Sequence, residues 1–199
     1  MTPDYLDKLI EKNVYQVVTV YPFAQLPLAK INLYVYGING WEKVLTDLPA
    51  VIGKQGVTLM KREGDHKTPF GLYALSLVYG YHSSDRVATW MPYRQINRED
   101  KFIDDVNHQH YNQWISGITD ADSYEIMLRE DGLYELGVII DYNMHPIIPG
   151  LGSAIFLHVW RNESTGTEGC VATSVENLRL LVSILDAKLN PHVLILGDT

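Results

Sequence analysis

A mainly β fold with peripheral helices is what this sequence predicts, on three observations. Short runs rich in β-branched and aromatic residues, such as 14–21 and 31–36, are closed by Gly, Pro, Asn or Asp. Apolar residues recur at helical spacing in two places, near the start and after residue 173. No linker, internal repeat or low-complexity tract interrupts the 199 residues, a length that suits one domain, 1–199, with a sizeable core.

Taken in order, Thr2 and Pro3 read as the N-cap and first residue of a short helix whose apolar positions are Tyr5, Leu6, Leu9 and Ile10. The β-rich run 14–21 follows, and Pro22 and Pro27 bracket its connection to a strand over 31–36. Gly37-Ile38-Asn39-Gly40 is a turn signal, so 41–45 should return as a hairpin partner. Further strands are expected at 71–79, 123–129 and 133–140, the last two joined through Glu130-Asp131-Gly132 as a hairpin. The segment 80–122 is the least regular. A strand over 154–160 comes next. Thr173 and Glu176 have the spacing of a capping box and open a helix carrying Leu178, Leu181, Ile184, Leu185 and Leu189. Pro191 prevents its continuation, and 192–196 reads as a final strand.

Charge and composition exclude several functions. Sixteen Lys and Arg against 24 Asp and Glu give a net charge of −8 without any basic cluster, which argues against nucleic-acid binding. A single cysteine rules out an intrachain disulfide. No apolar run reaches the length of a membrane span, and residues 1–30 show no charged stretch followed by an apolar one. The alternatives are a cytosolic protein or an exported one whose signal has been removed.

The chemistry concentrates at residues 152–171. His158 ends an apolar run twelve positions before Cys170, with a polar, Gly-containing loop between them. A cysteine reacts as thiolate, and a histidine beside it can take its proton and later return one to a leaving amine. Gly169 before Cys170 lets the backbone N–H groups of Glu168–Cys170 approach a developing oxyanion. A cysteine that merely fills a core sits more often inside a periodic apolar run.

The segment His158, then Thr167-Glu168-Gly169-Cys170-Val171, resembles the signature of the L,D-transpeptidase catalytic domain, the YkuD family of peptidoglycan cross-linking enzymes. Thr68-Pro69-Phe70-Gly71 is similar to that family's Thr-Pro-x-Gly, and Gly53-Lys54-Gln55-Gly56 and Lys61-Arg62-Glu63-Gly64-Asp65 resemble one branch of it. The resemblance spans about residues 31 to 197. It implies a β-sandwich-like fold and an envelope location, in the periplasm or cell wall. It implies peptidoglycan stem tetrapeptides as substrate, Cys170 as nucleophile and His158 as base, with neither cofactor nor metal. Water in place of an acceptor amine would make the enzyme an L,D-carboxypeptidase.

Two positions depart from the family. Glu168 stands where many members have His, and Ala172 where many have Arg. The arginine grip on substrate is therefore missing, and Arg161, with Trp160 beside it, is a candidate replacement; a solvated surface charge is the alternative. These departures also leave room for a non-catalytic cell-wall binding module on the same fold, or for a cysteine hydrolase of another amide or thioester.

Four further features admit two readings each. His108 and His110, among aspartates, would face one way on a strand and hold a metal, but their spacing matches no recognised zinc motif and a solvated loop is expected. Tyr111 and Trp114 could instead sit on a flap and contact a sugar–peptide substrate. Asp141 either orients a histidine or closes an Asx-turn. Ser153 and Thr167 either bond within the site or satisfy local backbone.

Overall fold

The computed structural model describes residues 4–197, so the cap expected at Thr2 and Pro3 lies outside the described residues. A 3-10 turn (Asp4–Leu6) runs into the short helix α1 (Asp7–Ile10). Leu6 and Leu9 are buried with Val14, Val17, Tyr34 and Trp41, so the helix lies against the outside of the sheet.

β1 (Gln16–Pro22), β2 (Leu28–Gly37) and β3 (Gly40–Val51) form an antiparallel meander whose second turn is the Gly37–Gly40 signal. Two short strands, β4 (Val57–Thr58) and β5 (Thr68–Pro69), pair in parallel and lead into β6 (Gly71–Gly80) and β7 (Tyr93–Gln95). β8 (Asp100–Ile103), β9 (Trp114–Ser116) and β10 (Tyr124–Ile126) make a separate small sheet. The main sheet is completed by β11 (Leu136–Ile140), β12 (Phe156–Val159), β13 (Val171–Thr173) and β14 (His192–Ile195).

The main sheet runs β11-β12-β13-β3-β2-β1-β14-β6-β7, and β11 also pairs with β6. Eight strands therefore close on themselves, giving the mostly β, sandwich-like arrangement expected. Side chains alternate across it, as a period of two requires. Val18, Val20, Ile31, Leu33, Val138, Leu157, Val171 and Val193 point into the main core. Each such side chain, fully buried, contributes roughly 1.5–3 kcal/mol. Tyr79, Ile139, Phe156 and Cys170 face the other way and pack with Phe102, Met127 and Tyr134 in a second cluster under the small sheet.

The structure corrects two expected elements. The hairpin of 123–129 with 133–140 does not form. β11 has both edges occupied, by β12 and β6, so β10 pairs with β8 instead. The capping box shifts by one residue. Thr173 belongs to β13 and its hydroxyl donates to the Pro49 carbonyl, while the Ser174 side chain accepts from Asn177 N–H and caps α2 (Val175–Ile184). That helix is shorter than expected, because Leu185 is already its C-cap and Leu189 falls in a separate 3-10 turn (Ala187–Leu189). Its Leu178, Leu181 and Val182 still reach the core. Among the described residues no helix is long and apolar enough to cross a membrane.

Candidate active site

β12 and β13 pair in parallel, with Leu157 opposite Val171 and His158 opposite Ala172. Leu157 and Val171 point into the core, so His158 and Cys170 share the opposite face of neighbouring strands, where both line one cleft of ≈ 700 Å³. The loop between them is pinned to the end of β3. Thr167 N–H donates to the Ile52 carbonyl at 2.8 Å, and Lys54 N–H donates to the Thr167 carbonyl at 2.9 Å.

Both sequence motifs meet at the cysteine backbone. The Cys170 carbonyl accepts from the Thr167 hydroxyl at 2.6 Å and from the Thr68 hydroxyl at 3.3 Å. Thr68 in turn accepts from Gly53 N–H at 2.8 Å. Gly169 has φ +146°, and a Cβ there would stand 3.0 Å from the Lys67 carbonyl oxygen, so the residue before the cysteine must be small.

The cysteine sulfur is held from two sides. Phe156 N–H donates to Sγ at 3.3 Å, and the thiol donates to the Ala154 carbonyl at 3.2 Å. Burial pushes the thiol up to about 12; the Phe156 N–H, Lys61 and Arg129 draw it down, and the Glu125 carboxylate adds to the rise. His158 is also buried, with Tyr134 edge-on at 5.3 Å between ring centroids. Burial lowers it to about 4, against the carbonyls of Val159 and Leu133. At neutral pH the pair therefore rests as thiol and imidazole.

The histidine's tautomer follows from one contact. Nδ1 lies 2.7 Å from the Val159 carbonyl oxygen, which can only accept, so Nδ1 carries the proton. Nε2 is left with its lone pair, the form a general base needs.

Thr167, Glu168, Gly169, Trp160 and Arg161 line the cleft with the pair. Two of them make contacts of their own. Gly169 N–H donates to the Thr167 hydroxyl at 3.1 Å, so in this state it is committed and does not face an oxyanion. The Glu168 carboxylate bridges Lys54 Nζ at 2.5 Å and the His66 ring. Partial burial works against its charge, but the Lys54 hydrogen bond and the Lys54 and His66 charges hold the carboxyl below its ordinary range. Arg161 stands at the rim, 63% exposed and 3.6 Å from Asp131.

Tyr111 and Trp114 are not among the residues lining the cleft. Tyr111 is buried, its hydroxyl donating to Glu63 and accepting from Gly152 N–H. Trp114 packs edge-on against Tyr79, with the Arg94 guanidinium 4.4 Å from its ring centroid. His108 pairs with Asp120 at 3.0 Å and His110 contacts Gln113 at 3.2 Å, both in a turn rather than on a strand. Among the described residues no group of three or more His, Cys, Asp or Glu side chains is placed to hold a metal. Asp141, just past the end of β11, accepts from Ser76 at 2.5 Å and has no contact with His158, and Ser153 donates to Glu63 at 2.8 Å.

The cleft also contains residues that sequence reasoning did not single out: Lys61, Glu125, Arg129 and Tyr134. Lys61 lies in a stretch the sequence offered for other reasons. Glu125, Arg129 and Tyr134 carry no local signal, because only the folding of the small sheet over β11 and β12 brings them to the cysteine.

The family model of the YkuD L,D-transpeptidase catalytic domain matches residues 28–194. The chain belongs to that family. Among solved structures, the helical cell shape determining protein Pgp2 from Campylobacter jejuni is similar, at 15% identity and a TM-score of 0.47. The alignment covers 98% of this chain and 55% of that one, so the chain spans about half the length of that protein. No curated protein matches the chain.

Proposed function

We propose that this chain is a single-domain, cysteine-dependent L,D-transpeptidase that acts on peptidoglycan stem tetrapeptides in the cell envelope through a thioester acyl-enzyme. One observation carries this reading. Cys170 and His158 share one face and one cleft, and the Val159 carbonyl fixes His158 in the tautomer whose free Nε2 can accept a thiol proton.

The steps follow from the chain's own groups. Substrate displaces water from the cleft, and Cys170 Sγ attacks the carbonyl of the third stem residue as its proton passes to His158 Nε2. Collapse of the tetrahedral species breaks the amide, and His158 returns the proton to the departing D-alanine. An amine from a second stem then attacks the thioester, losing its proton to His158 and freeing Cys170. If water attacks instead, the same site performs an L,D-carboxypeptidase reaction.

Intact-mass measurement after incubation with a carbapenem, with Cys170→Ala in parallel, tests the reading. Carbapenems acylate the nucleophile of many enzymes in this family. A single adduct, lost in the variant, is the expected result, and cross-linked stem peptides as product separate transpeptidase from carboxypeptidase. No adduct together with slow ordinary alkylation would favour the binding module, for which Glu168 and Ala172 are the specific observations.

A further inference from the structure

Lys61 is a lysine buried in the wall of the cleft, with 4% of its side chain exposed. Its stem runs past Gly152, where an added Cβ would meet Cγ at 3.0 Å and Cε at 3.1 Å. Nζ donates to Asp65 Oδ1 at 2.5 Å and to the Arg62 carbonyl at 3.0 Å. An ammonium has three protons, so one remains uncommitted. That Nζ lies 3.5 Å from the Cβ position of Gly169, the residue preceding the nucleophile.

Asp65 is itself held in place. Its carboxylate accepts from Arg62 N–H at 2.8 Å and from Lys67 N–H at 2.9 Å. Although partial burial opposes it, these bonds and the one from Lys61 keep the carboxyl below its ordinary range. The ammonium is therefore anchored by a fixed partner and needs little reorganisation when charge develops beside it.

Part of the donor set beside Cys170 is already committed. Gly169 N–H is spent on the Thr167 hydroxyl, and the position two after the cysteine is Ala172, which offers no charge. The charge of Lys61 already acts on Cys170, drawing its thiol down against the larger effect of burial.

We propose that Lys61 is a catalytic residue of this site, its third N–H donating to the oxygen of the carbonyl that Cys170 attacks. The proposal rests on the acyl-transfer reading. As the Sγ–C bond forms, the carbonyl π pair moves onto oxygen while His158 Nε2 holds the thiol proton. Lys61 hydrogen-bonds that oxyanion and keeps its own proton. When the carbonyl re-forms, the amine leaves with the proton from His158.

Two probes of Cys170 separate this role from its alternatives. Acylation by a carbapenem passes through a tetrahedral oxyanion, whereas alkylation by iodoacetamide is a displacement at carbon that forms none. In Lys61→Met, carbapenem acylation is expected to fall by about 10²–10³-fold, with iodoacetamide alkylation falling far less, since it loses only the pull of the Lys61 charge on the thiol. Asp65→Asn loosens the same loop and removes the anchor but not the ammonium, so acylation should fall by clearly less than in Lys61→Met. Should Lys61→Met not fold, Lys61→Gln keeps the length and loses the charge, and carries the same contrast.

Equal losses with both probes, or as deep a loss in Asp65→Asn, would overturn the proposal and assign Lys61 to loop structure. Unchanged acylation in a folded Lys61 variant overturns it as well, leaving the acyl-transfer reading intact. A wild-type protein that is alkylated but never acylated overturns both.

Discussion

The Thr68 hydroxyl donates to the Cys170 carbonyl at 3.3 Å, joining residues 102 positions apart in the chain. Thr68 is fully buried and also accepts from Gly53 N–H, so a single hydroxyl ties the Thr-Pro-x-Gly segment, the end of β3 and Cys170 together. Thr68→Val keeps the shape and removes both bonds. Leaving a buried donor unsatisfied costs about 1–3 kcal/mol, and at about 2–4 °C per kcal/mol for a chain of this size the melting temperature should drop by several degrees. Calorimetry reads the loss, and an unchanged melting temperature would refute the brace.

The reactive pair makes a sharper demand. Cys170→Ala should abolish acylation while the far-ultraviolet dichroism stays native. His158→Ala should slow acylation by about 10²–10⁴-fold, because the proposed mechanism makes Nε2 the proton acceptor. Full acylation in either variant removes the mechanism.

Acid stability reports on His158. Its folded value of about 4 lies below the ordinary 6.5, so between these pH values the unfolded chain binds the extra proton and stability is lost as pH falls. The gap amounts to about 3 kcal/mol at about 1.36 kcal/mol per pH unit. Glu125, raised first of all by burial, acts with the opposite sign in an overlapping range. The quantity to measure is therefore the difference between wild type and His158→Gln in urea unfolding from pH 7 to pH 4. That difference should move in the variant's favour as pH falls, and a constant difference would show that His158 is not buried as a neutral ring.

Gly137 sits opposite both Tyr79 and His158 in the sheet register. A Cβ there would lie 2.2 Å from the Tyr79 ring, so Gly137→Ala must displace that ring from the second cluster. The expected loss is about 1–3 kcal/mol, with slower acylation because Tyr79 packs edge-on against Tyr134, which in turn packs edge-on against His158. Tyr79→Phe/Gly137→Ala restores nothing, since the ring itself is the obstacle, whereas Tyr79→Leu in the same background should recover stability.

Much of the fold was legible in the sequence because its strands are short and bounded by turn residues. The meander from Gln16 to Val51 follows the expected runs and the Gly37–Gly40 turn. The hairpin around Glu130–Gly132 failed for a topological reason, since the closing of the ring uses both edges of β11. The site divides in the same way. Cys170 and His158 stand close in the chain, with His158 on β12 and Cys170 just before the paired β13, so local spacing sufficed to single them out together. Tyr111 and Trp114 looked available because they are aromatic, but Glu63 and Tyr79 engage them in the interior. Lys61 looked like one charge among many, and only its burial beside Gly169 distinguishes it.

β14 lies between β1 and β6, with both of its edges occupied. Without residues 192–195, β1 and β6 would each present unpaired N–H and C=O groups, which invite pairing with other chains. The ring that shapes β11 and β12 stays open until those residues dock. The cleft thus depends on a strand that lines none of it.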